Sequence, residues 1–398
     1  MDKNTMNELA GSQQELVEML EEYLNENYEF RHNDLSDKFE IRERVENKLF
    51  RPLTREAFNS LAHRIRKDGL EIPNLKQYLE EYIYSEDTPS FNPIIDYLGN
   101  LPEWDGQNHI GELFGRIPGI TSEQMHFASI WLLSTVAHWK GMDTLHGNET
   151  VLTLIGKQGC GKSTFCARLL AEQFRVYYLD HLNLRNKNDK EMALTCNLLV
   201  NLDELDQIKA SQHAELKQTL SKSRVNGRPI YGRAQQDRKR FASFVSTTNN
   251  PRPLNDPTGS RRYLCFRIPN EQIIQNDGEI NYDQLYAQAL YELNVKHTPY
   301  WFTKEEVARI QELNADFQQV QDLSTMIDCC FRHPEEGETV NPLEASRIVE
   351  ILESHYPGVQ QSKSFGIKLG LVLKKMDFKR RSMANGQQYF IVPRKKAA

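Results

Sequence analysis

Residues 156–163 read Gly156-Lys157-Gln158-Gly159-Cys160-Gly161-Lys162-Ser163, which matches the phosphate-binding pattern G-x-x-x-x-G-K-[ST]. The preceding apolar run, Val151 to Ile155, is typical of a buried parallel strand. The following residues, Thr164 to Ala171, favour a helix. Glycines let the backbone wrap around a phosphate, and N–H groups at the start of a helix point at it. Strand, glycine loop and helix together predict a P-loop rather than a chance turn.

The pattern gives a separate role in nucleotide binding to its two last residues. Lys162 supplies positive charge to the β- and γ-phosphates of ATP, and Ser163 supplies a hydroxyl for Mg²⁺. The predicted ATP-binding residues are Gly156, Gly159, Cys160, Gly161, Lys162, Ser163 and Thr164.

Two carboxylates end a later apolar run. The run extends from Asn197 to Leu202 and is followed by Asp203 and Glu204, which is typical of a Walker B strand. Parallel sheets place their chemistry at the carboxyl ends of strands. We therefore expect Asp203 to hold the Mg²⁺ shell and Glu204 to orient or deprotonate an attacking water. Between the P-loop and this run, residues 175–180 predict a further strand.

Polar side chains accompany the last two predicted core strands. Asn249 ends the run from Phe241, where it could contact the γ-phosphate or the attacking water, or could only turn the chain. Arg261 and Arg262 enter the run that begins at Tyr263. The two arginines could neutralise transition-state charge on a neighbouring subunit's nucleotide, or could form a surface salt bridge.

The densest basic stretch of the central chain lies between these motifs. It runs from Ser221 to Arg240 and includes glycines, a proline and a tyrosine. A solvated surface hairpin and a positive loop along a nucleic-acid backbone both fit this composition. In the second interpretation, the nucleic-acid contacts are Lys222, Arg224, Arg228, Tyr231 and Arg233.

The composition of the whole chain sets wider limits. Its 398 residues allow two or three domains, and 39% hydrophobic and 26% charged residues are typical of a soluble globular protein. The net charge of -6 gives no global sign of nucleic-acid binding, so such contacts must come from local patches. The six cysteines form no C-x-x-C, the chain starts without a basic signal peptide, and no apolar stretch is long enough for a bilayer. We expect a cytoplasmic protein with reduced thiols and no membrane partner.

The two ends of the chain predict smaller units. In residues 1–90, an amphipathic helix, a hairpin and two helices indicate an α+β unit, which could be a winged helix or an adaptor. Residues 91–145 indicate a helical collar, and residues 146–300 the parallel-sheet core.

Residues 301–398 indicate a helical connector and a winged-helix-like unit, with one helix expected from Thr303 to about Leu323. The hairpin near the C-terminus could bind DNA through Lys379, Arg380 and Arg381, or the unit could bind protein.

The order of these motifs resembles the virulence-associated protein E family of phage and mobile-element proteins. That family is similar to superfamily III and poxvirus-type primase-helicases of the AAA+ class. The likeness covers roughly residues 91–305 and rests on the P-loop, Leu202-Asp203-Glu204-Leu205, Tyr231-Gly232-Arg233, Ser246-Thr247-Thr248-Asn249 and Asp256 to Arg262. It implies an α/β fold, with a P-loop NTPase core like that of superfamily III helicases.

The resemblance also implies a function. It implies a ring-forming ATPase, expected as a hexamer, that uses ATP and Mg²⁺ on single-stranded or forked DNA during replication of the element, with replication proteins as further partners. The roles that carry over directly belong to Lys162, Ser163, Asp203, Glu204 and Asn249; an arginine finger carries over to Arg261 or Arg262, without deciding between them.

A non-motor ATPase switch that assembles or recruits partners on DNA is the alternative function. DNA dependence of ATP hydrolysis separates it from a motor. A small-molecule kinase fits less well, because the Walker B carboxylates, Asn249 and the arginine pair together favour hydrolysis.

Overall fold

The structure is a computed structural model that describes most of the chain. The described residues are 3–45, 48–142, 146–205, 208, 210–227, 235–254, 260–318, 323–335, 337–356, 359, 362–383 and 386–394. Among them, none of the helices combines the length and the apolar composition that a membrane span needs.

The first ninety residues build a small sheet packed on helices. Its elements are α1 (Lys3–Asn27), β1 (Tyr28–Asn33), β2 (Lys38–Glu43), β3 (Arg51–Pro52), α2 (Arg55–Lys67), α3 (Leu75–Ile83) and β4 (Ser90–Phe91). The strand order is β3-β2-β1-β4, with β1 and β2 antiparallel and β4 parallel to β1. Leu20 and Leu24 of α1 are buried in the same cluster as residues of β1, α2 and α3. The predicted border at residue 90 therefore falls inside β4.

The strand β4 is held to this sheet by more than its backbone. The guanidinium carbon of Arg31 lies 3.8 Å from the ring centroid of Phe50 and 3.5 Å from that of Phe91. The side-chain amide of Asn33 donates a hydrogen bond of 3.0 Å to the hydroxyl of Tyr177 in the central region. The Arg31 contacts therefore hold β4 to its own sheet, and the bond from Asn33 attaches that sheet to the central region.

Three helices lead into the core. They are α4 (Pro93–Gly99), α5 (His109–Gly115) and α6 (Ser122–Lys140). A capping box between Thr121 and Gln124 starts α6, because each side chain bonds the other's backbone N–H. Trp131 and Trp139 of α6 are fully buried, and this helix packs against one face of the central sheet.

The predicted parallel-sheet core is confirmed. Its elements are β5 (Val151–Ile155), α7 (Lys162–Ala167), β6 (Tyr178–Leu179), α8 (Lys187–Cys196), β7 (Leu199–Asp203), α9 (Ala210–Ser221), β8 (Arg224–Gly227), β9 (Gln236–Lys239), β10 (Ser243–Thr248), β11 (Tyr263–Arg267), α10 (Tyr282–Asn294) and α11 (Lys304–Leu313). Among the described residues, five parallel strands pair in the order β11-β5-β10-β7-β6. Buried clusters cover both faces, which explains the continuous apolar runs of these strands.

Two elements differ from the sequence prediction. The strand expected over residues 175–180 is reduced to β6, because a 3-10 turn precedes it and buries Phe174 against the ring of Tyr97, with centroids 5.0 Å apart. The helix expected from Thr303 to about Leu323 ends at Leu313. Asn314 then donates hydrogen bonds of 2.7 Å to the carbonyls of Ser260 and Tyr263, which stops the helix.

The C-terminal region has its own buried cluster. Its elements are α12 (Leu323–Cys330), β12 (Phe331–Arg332), β13 (Leu343–Glu344), α13 (Ala345–His355), α14 (Lys363–Lys375), β14 (Arg380–Met383), β15 (Gly386–Tyr389) and β16 (Val392–Pro393). The strands form a sheet in the order β13-β15-β14 and a separate pair of β12 with β16. The winged-helix-like interpretation of this region stays a prediction.

Candidate nucleotide-binding site and basic hairpin

The carboxyl ends of three neighbouring strands meet at one edge of the central sheet. The strand register pairs Ile155 with Thr248 and Thr247 with Asp203. The P-loop follows the end of β5, and Asn249 follows the end of β10. Since adjacent strands lie about 4.8 Å apart, the P-loop, Asn249 and the carboxylates lie side by side.

Two glycines fix the shape of the loop. Gly159 and Gly161 have φ angles of +81° and +88°, which residues with a Cβ rarely adopt. Gly161 also caps the start of α7, and a Cβ there would lie 2.4 Å from the side-chain nitrogen of Asn276. Conformation and close contact therefore both require glycine at position 161.

Lys162 connects the P-loop to the neighbouring strand. Its side chain is buried, and its Nζ donates to the carbonyls of Gly156 at 2.8 Å and Lys157 at 2.9 Å. The same Nζ donates to Oδ1 of Asn249 at 2.9 Å. The structure thus brings the lysine predicted for the β- and γ-phosphates together with Asn249, which was predicted to contact the γ-phosphate or the attacking water, or only to turn the chain.

The predicted metal ligands lie on adjacent elements. Ser163 is exposed in the first turn of α7, and Asp203 is exposed at the end of β7. Oδ1 of Asp203 accepts a hydrogen bond of 2.5 Å from the hydroxyl of Thr247. A hydroxyl and a carboxylate are hard oxygen ligands, and Mg²⁺ in phosphate sites uses one or two protein ligands with waters and substrate phosphates. These residues therefore fit Mg²⁺ with a nucleoside triphosphate.

Glu204 has an unusual backbone. Its φ angle is +51°, and its N–H donates to the carbonyl of Thr247 at 3.0 Å. Left-handed residues other than glycine are concentrated at functional sites, where the surrounding structure holds them in place. The turn leaves Glu204 exposed beside Asp203.

The sequence analysis missed two residues at this edge. Thr247 holds the Asp203 carboxylate, and its place one residue before the end of β10 is the signal that could have found it. Asn276 donates to the carbonyl of Gly161 at 2.9 Å, while its own Oδ1 is buried and has no hydrogen-bond partner among the residues that the structure describes. No sequence pattern marks Asn276, because it lies in an irregular segment after β11.

The arginine pair lies at the opposite edge of the same sheet. Tyr263 pairs with Val151 at the amino ends of their strands, so Arg261 and Arg262 are a full strand length from the P-loop. Nε of Arg262 forms an ion pair of 2.9 Å with Glu149, and Nη2 of Arg262 lies 3.5 Å from the hydroxyl of Ser221.

The two arginines differ in their surroundings. The Arg262 side chain is only 12% exposed. Arg261 is exposed and makes no hydrogen bond or ion pair with any residue that the structure describes. One arginine is therefore anchored within its own chain, and the other is available to a neighbouring molecule.

The basic stretch begins and ends in an antiparallel hairpin of β8 and β9. Arg224 forms an ion pair of 2.6 Å with Asp237 across the hairpin, and Lys222 lies half-buried before β8. The predicted contacts Arg228, Tyr231 and Arg233 lie outside the described residues.

The basic side chains in the second half of the stretch make contacts within the fold, contrary to the expectation of a basic surface. Arg238 pairs with Glu191 at 2.9 Å, and Nζ of Lys239 donates to the carbonyl of Trp139 at 2.8 Å. Arg240 is fully buried and donates to the carbonyls of Asn148, Leu220, Lys222 and Ala242. Burial lowers the pKa of Lys239 to about 8 and that of Arg240 to about 9. These charges hold the base of the hairpin in place.

The predicted C-terminal contacts belong to a separate part of the structure. Lys379, Arg380 and Arg381 are exposed at the start of the β14–β15 hairpin. They are not brought near the P-loop by any strand pairing, since β14 and β15 belong to the C-terminal sheet.

Comparison with known proteins places the chain in a family. Residues 98–319 match the virulence-associated protein E-like domain, which is more than half of the 398 residues. No curated protein matches the chain.

Solved structures of similar shape are distant. The apo A form of the NrS-1 C-terminal region is 14% identical with a TM-score of 0.45, and the match covers 95% of this chain and 99% of that chain. The active helicase Cch of SCCmec type IV is 12% identical with a TM-score of 0.37, and the match covers 92% of both chains. At this distance the likeness does not define a function for the chain.

Fold and site define a class first. A parallel sheet with a glycine loop after β5 and two carboxylates at the end of β7 defines a mixed α/β protein with a parallel-sheet core. Within that class, the chain belongs to the virulence-associated protein E-like family. The resemblance inferred from the motifs is thereby confirmed.

Proposed function

We propose that the chain is an ATP-driven helicase or translocase. It acts in the cytoplasm on single-stranded or forked DNA during replication of a phage or mobile element. It works as a homo-oligomeric ring, expected as a hexamer, with replication proteins as partners. Membership of the virulence-associated protein E-like family supports this role. The core over residues 146–300 provides the motor, the collar over 91–145 leads into it, and the unit over 1–90 and the winged-helix-like unit within 301–398 flank it.

One observation carries the proposal. Lys162, Asn249 and Asp203 lie together at the carboxyl edge of the sheet, while Arg261, which has no hydrogen-bond or ion-pair partner among the described residues, lies at the amino edge. A hydrolysis site that needs both sets of residues cannot be completed within one subunit. Two subunits arranged head to tail would complete it, which is the arrangement of a ring.

We propose these roles for the residues of the site. Lys162 binds the β- and γ-phosphates, and Asn249, already in contact with Lys162, reaches the γ-phosphate or the attacking water. Glu204 orients or deprotonates that water. Mg²⁺, when bound through Ser163 and Asp203, neutralises charge on the phosphate oxygens.

The finger is assigned to Arg261 rather than Arg262. A residue that enters a neighbouring subunit's site must be free to extend, and the Arg262 guanidinium is held by Glu149. Arg261 is next to that anchor and exposed. We therefore propose that Arg262 fixes the position of the turn that carries Arg261.

The test of the function is ATP turnover with and without DNA. Steady-state hydrolysis by the full chain is measured alone, with a single-stranded oligonucleotide and with duplex, together with strand separation of a forked substrate. A motor requires stimulation by single strands and separation of the fork. If DNA does not change the rate of ATP hydrolysis and the strands of the fork are not separated, the result would favour an ATPase switch that assembles partners on DNA.

The hairpin of β8 and β9 gives a separate prediction about DNA. If its basic residues meet phosphates, the combined alanine variant of Lys222, Arg224, Arg228 and Arg233 will bind single strands more weakly whatever their sequence. The slope of log affinity against log salt should become shallower by about 0.7 for each lost contact. DNA-independent hydrolysis should survive, because none of these residues belongs to the nucleotide site. Fluorescence anisotropy over a salt series measures the slope.

The C-terminal hairpin supplies the control for this variant. Alanine at Lys379, Arg380 and Arg381 removes three exposed charges from another sheet. This control variant should bind duplex DNA more weakly or load onto DNA less efficiently. Single-stranded DNA should still stimulate its ATP hydrolysis largely as in the wild type. An unchanged salt slope in the variant of the β8–β9 hairpin would mean that this hairpin does not contact DNA phosphates.

A further inference from the structure

The residues before β5 lie tightly against the base of the β8–β9 hairpin. A Cβ on Gly147 would lie 2.5 Å from the carbonyl oxygen of Lys222 and 2.5 Å from Nη1 of Arg240. Real Cβ atoms do not approach other atoms so closely, so the chain can pass here only with glycine. The short segment of residues 147–149, which we call the coupling segment, is thus in direct contact with the place where the hairpin begins.

Arg240 fastens the hairpin to this segment. Its guanidinium donates to Lys222 at 2.6 Å and to Asn148 at 2.8 Å, and it also donates to Leu220 at 2.6 Å and Ala242 at 2.8 Å. The side chain is 1% exposed. Separating the hairpin from the segment would leave a buried charged donor unpaired, which is costly. The base of the hairpin and the segment therefore move together.

The next residue of the segment, Glu149, holds Arg262 of the arginine pair. Oε2 of Glu149 accepts from Nε of Arg262 at 2.9 Å and from the hydroxyl of Ser221 at 3.1 Å. Ser221 is the last residue of α9 and directly precedes Lys222 at the start of the hairpin. Hydrogen bonds from Arg240 to Lys222 and Asn148, the covalent link from Asn148 to Glu149, and the ion pair of Glu149 thus connect the hairpin to Arg262, the neighbour of Arg261.

The two ends of this chain of bonds differ in strength. The Arg240 end is buried and bonded four times. The other end is the Glu149 carboxylate, whose side chain is 40% exposed and which accepts from Arg262 and Ser221. Exposed ion pairs contribute little to stability. Glu149 can therefore be replaced without unfolding the protein, and the position of Arg262 would change while the hairpin base stays intact.

We propose that Glu149 is a positioning residue that couples the hairpin to the arginine finger. A strand of DNA that shifts the hairpin shifts the coupling segment through Arg240, and Glu149 passes the shift to Arg262 and so to Arg261 at the neighbouring subunit's nucleotide. The inference rests on the proposed function and names the route by which DNA would regulate its hydrolysis.

The test is the ratio of DNA-stimulated to DNA-independent ATP turnover in Glu149→Ala. We expect this ratio to fall about threefold or more, in line with the effects of residues that couple two sites. The affinities for single-stranded DNA and for ATP should stay close to those of the wild type, because Glu149 lies in neither predicted site. A residue with only a structural role would lower both turnover rates by the same factor, and the ratio would not change.

Two further variants complete the experiment. Glu338→Ala removes an equivalent pair in the C-terminal region, where Arg332 donates to Glu338 at 2.8 and 3.0 Å, and it should leave the ratio unchanged. The exchange of Glu149→Arg with Arg262→Glu restores an ion pair in reversed orientation and should recover part of the ratio.

The possible results distinguish failure of the coupling from failure of the proposed motor. A lowered ratio with partial recovery in the exchanged pair supports the coupling. A wild-type ratio in Glu149→Ala overturns it and leaves the proposed motor intact. If DNA does not change the rate of ATP hydrolysis by the wild-type protein, both the coupling and the proposed motor are overturned, because there is then no stimulation for Glu149 to transmit.

Discussion

Replacing Lys162 with alanine is expected to lower ATP turnover by about 10²-fold or more, because removing one preorganised donor from a site of developing charge has that effect. Nζ of Lys162 is the cation nearest to the loop carbonyls and to Asn249. The loss should appear in both ATP affinity and turnover, since the lysine contacts phosphate before and during transfer. Steady-state hydrolysis and binding of a fluorescent ATP analogue measure the two effects.

The other lysine of the loop is the matched control. Lys157 forms an ion pair with Glu271, and both side chains are largely exposed. Lys157→Ala should change turnover by no more than about twofold, because exposed pairs contribute little. Thermal unfolding of both variants shows whether the fold is kept. If Lys162→Ala folds and retains normal turnover, the loop is not the catalytic phosphate site.

The second large effect belongs to Arg261. Arginine fingers contribute about 10³-fold or more to turnover, so Arg261→Ala should approach the inactivity of Lys162→Ala. Arg262→Ala should lower turnover less, because the Arg262 guanidinium is bonded to Glu149 and Ser221 of its own chain. Arg261→Lys should not restore the rate, since lysine lacks the planar, forked donors of arginine.

Mixing variants shows whether Arg261 acts across an interface. Subunits with Arg261→Ala keep an intact P-loop, and subunits with Lys162→Ala keep an intact arginine. Mixed assemblies should therefore regain activity that neither variant has alone, with a maximum at intermediate ratios. Absence of recovery at every ratio, with exchange of subunits verified, would argue that the site is not shared.

The core could be predicted from the sequence because its signals are local. The P-loop, the carboxylates after β7 and the apolar runs each depend on a few adjacent residues, and parallel pairing brings the strand ends together without further information. Asn249 was found for the same reason, since it directly follows an apolar run that becomes β10.

The remaining features depend on contacts distant in the sequence. Arg240 looks like part of a basic surface because the carbonyls that it bonds come from residues such as Asn148, far away in the chain. The difference between Arg261 and Arg262 likewise depends on Glu149, which no pattern connects to them. The early end of α11 depends on the contacts of Asn314 with the turn before β11.

The attachment of β4 limits how the first ninety residues can move. Rotation of that unit about residues 85–92 would have to withdraw the guanidinium of Arg31 from the ring of Phe91 and break the bond from Asn33 to Tyr177. These contacts oppose independent rotation of the unit beside the core. We therefore expect part of a load applied to its outer helices to reach the collar and the edge of the central sheet as torque.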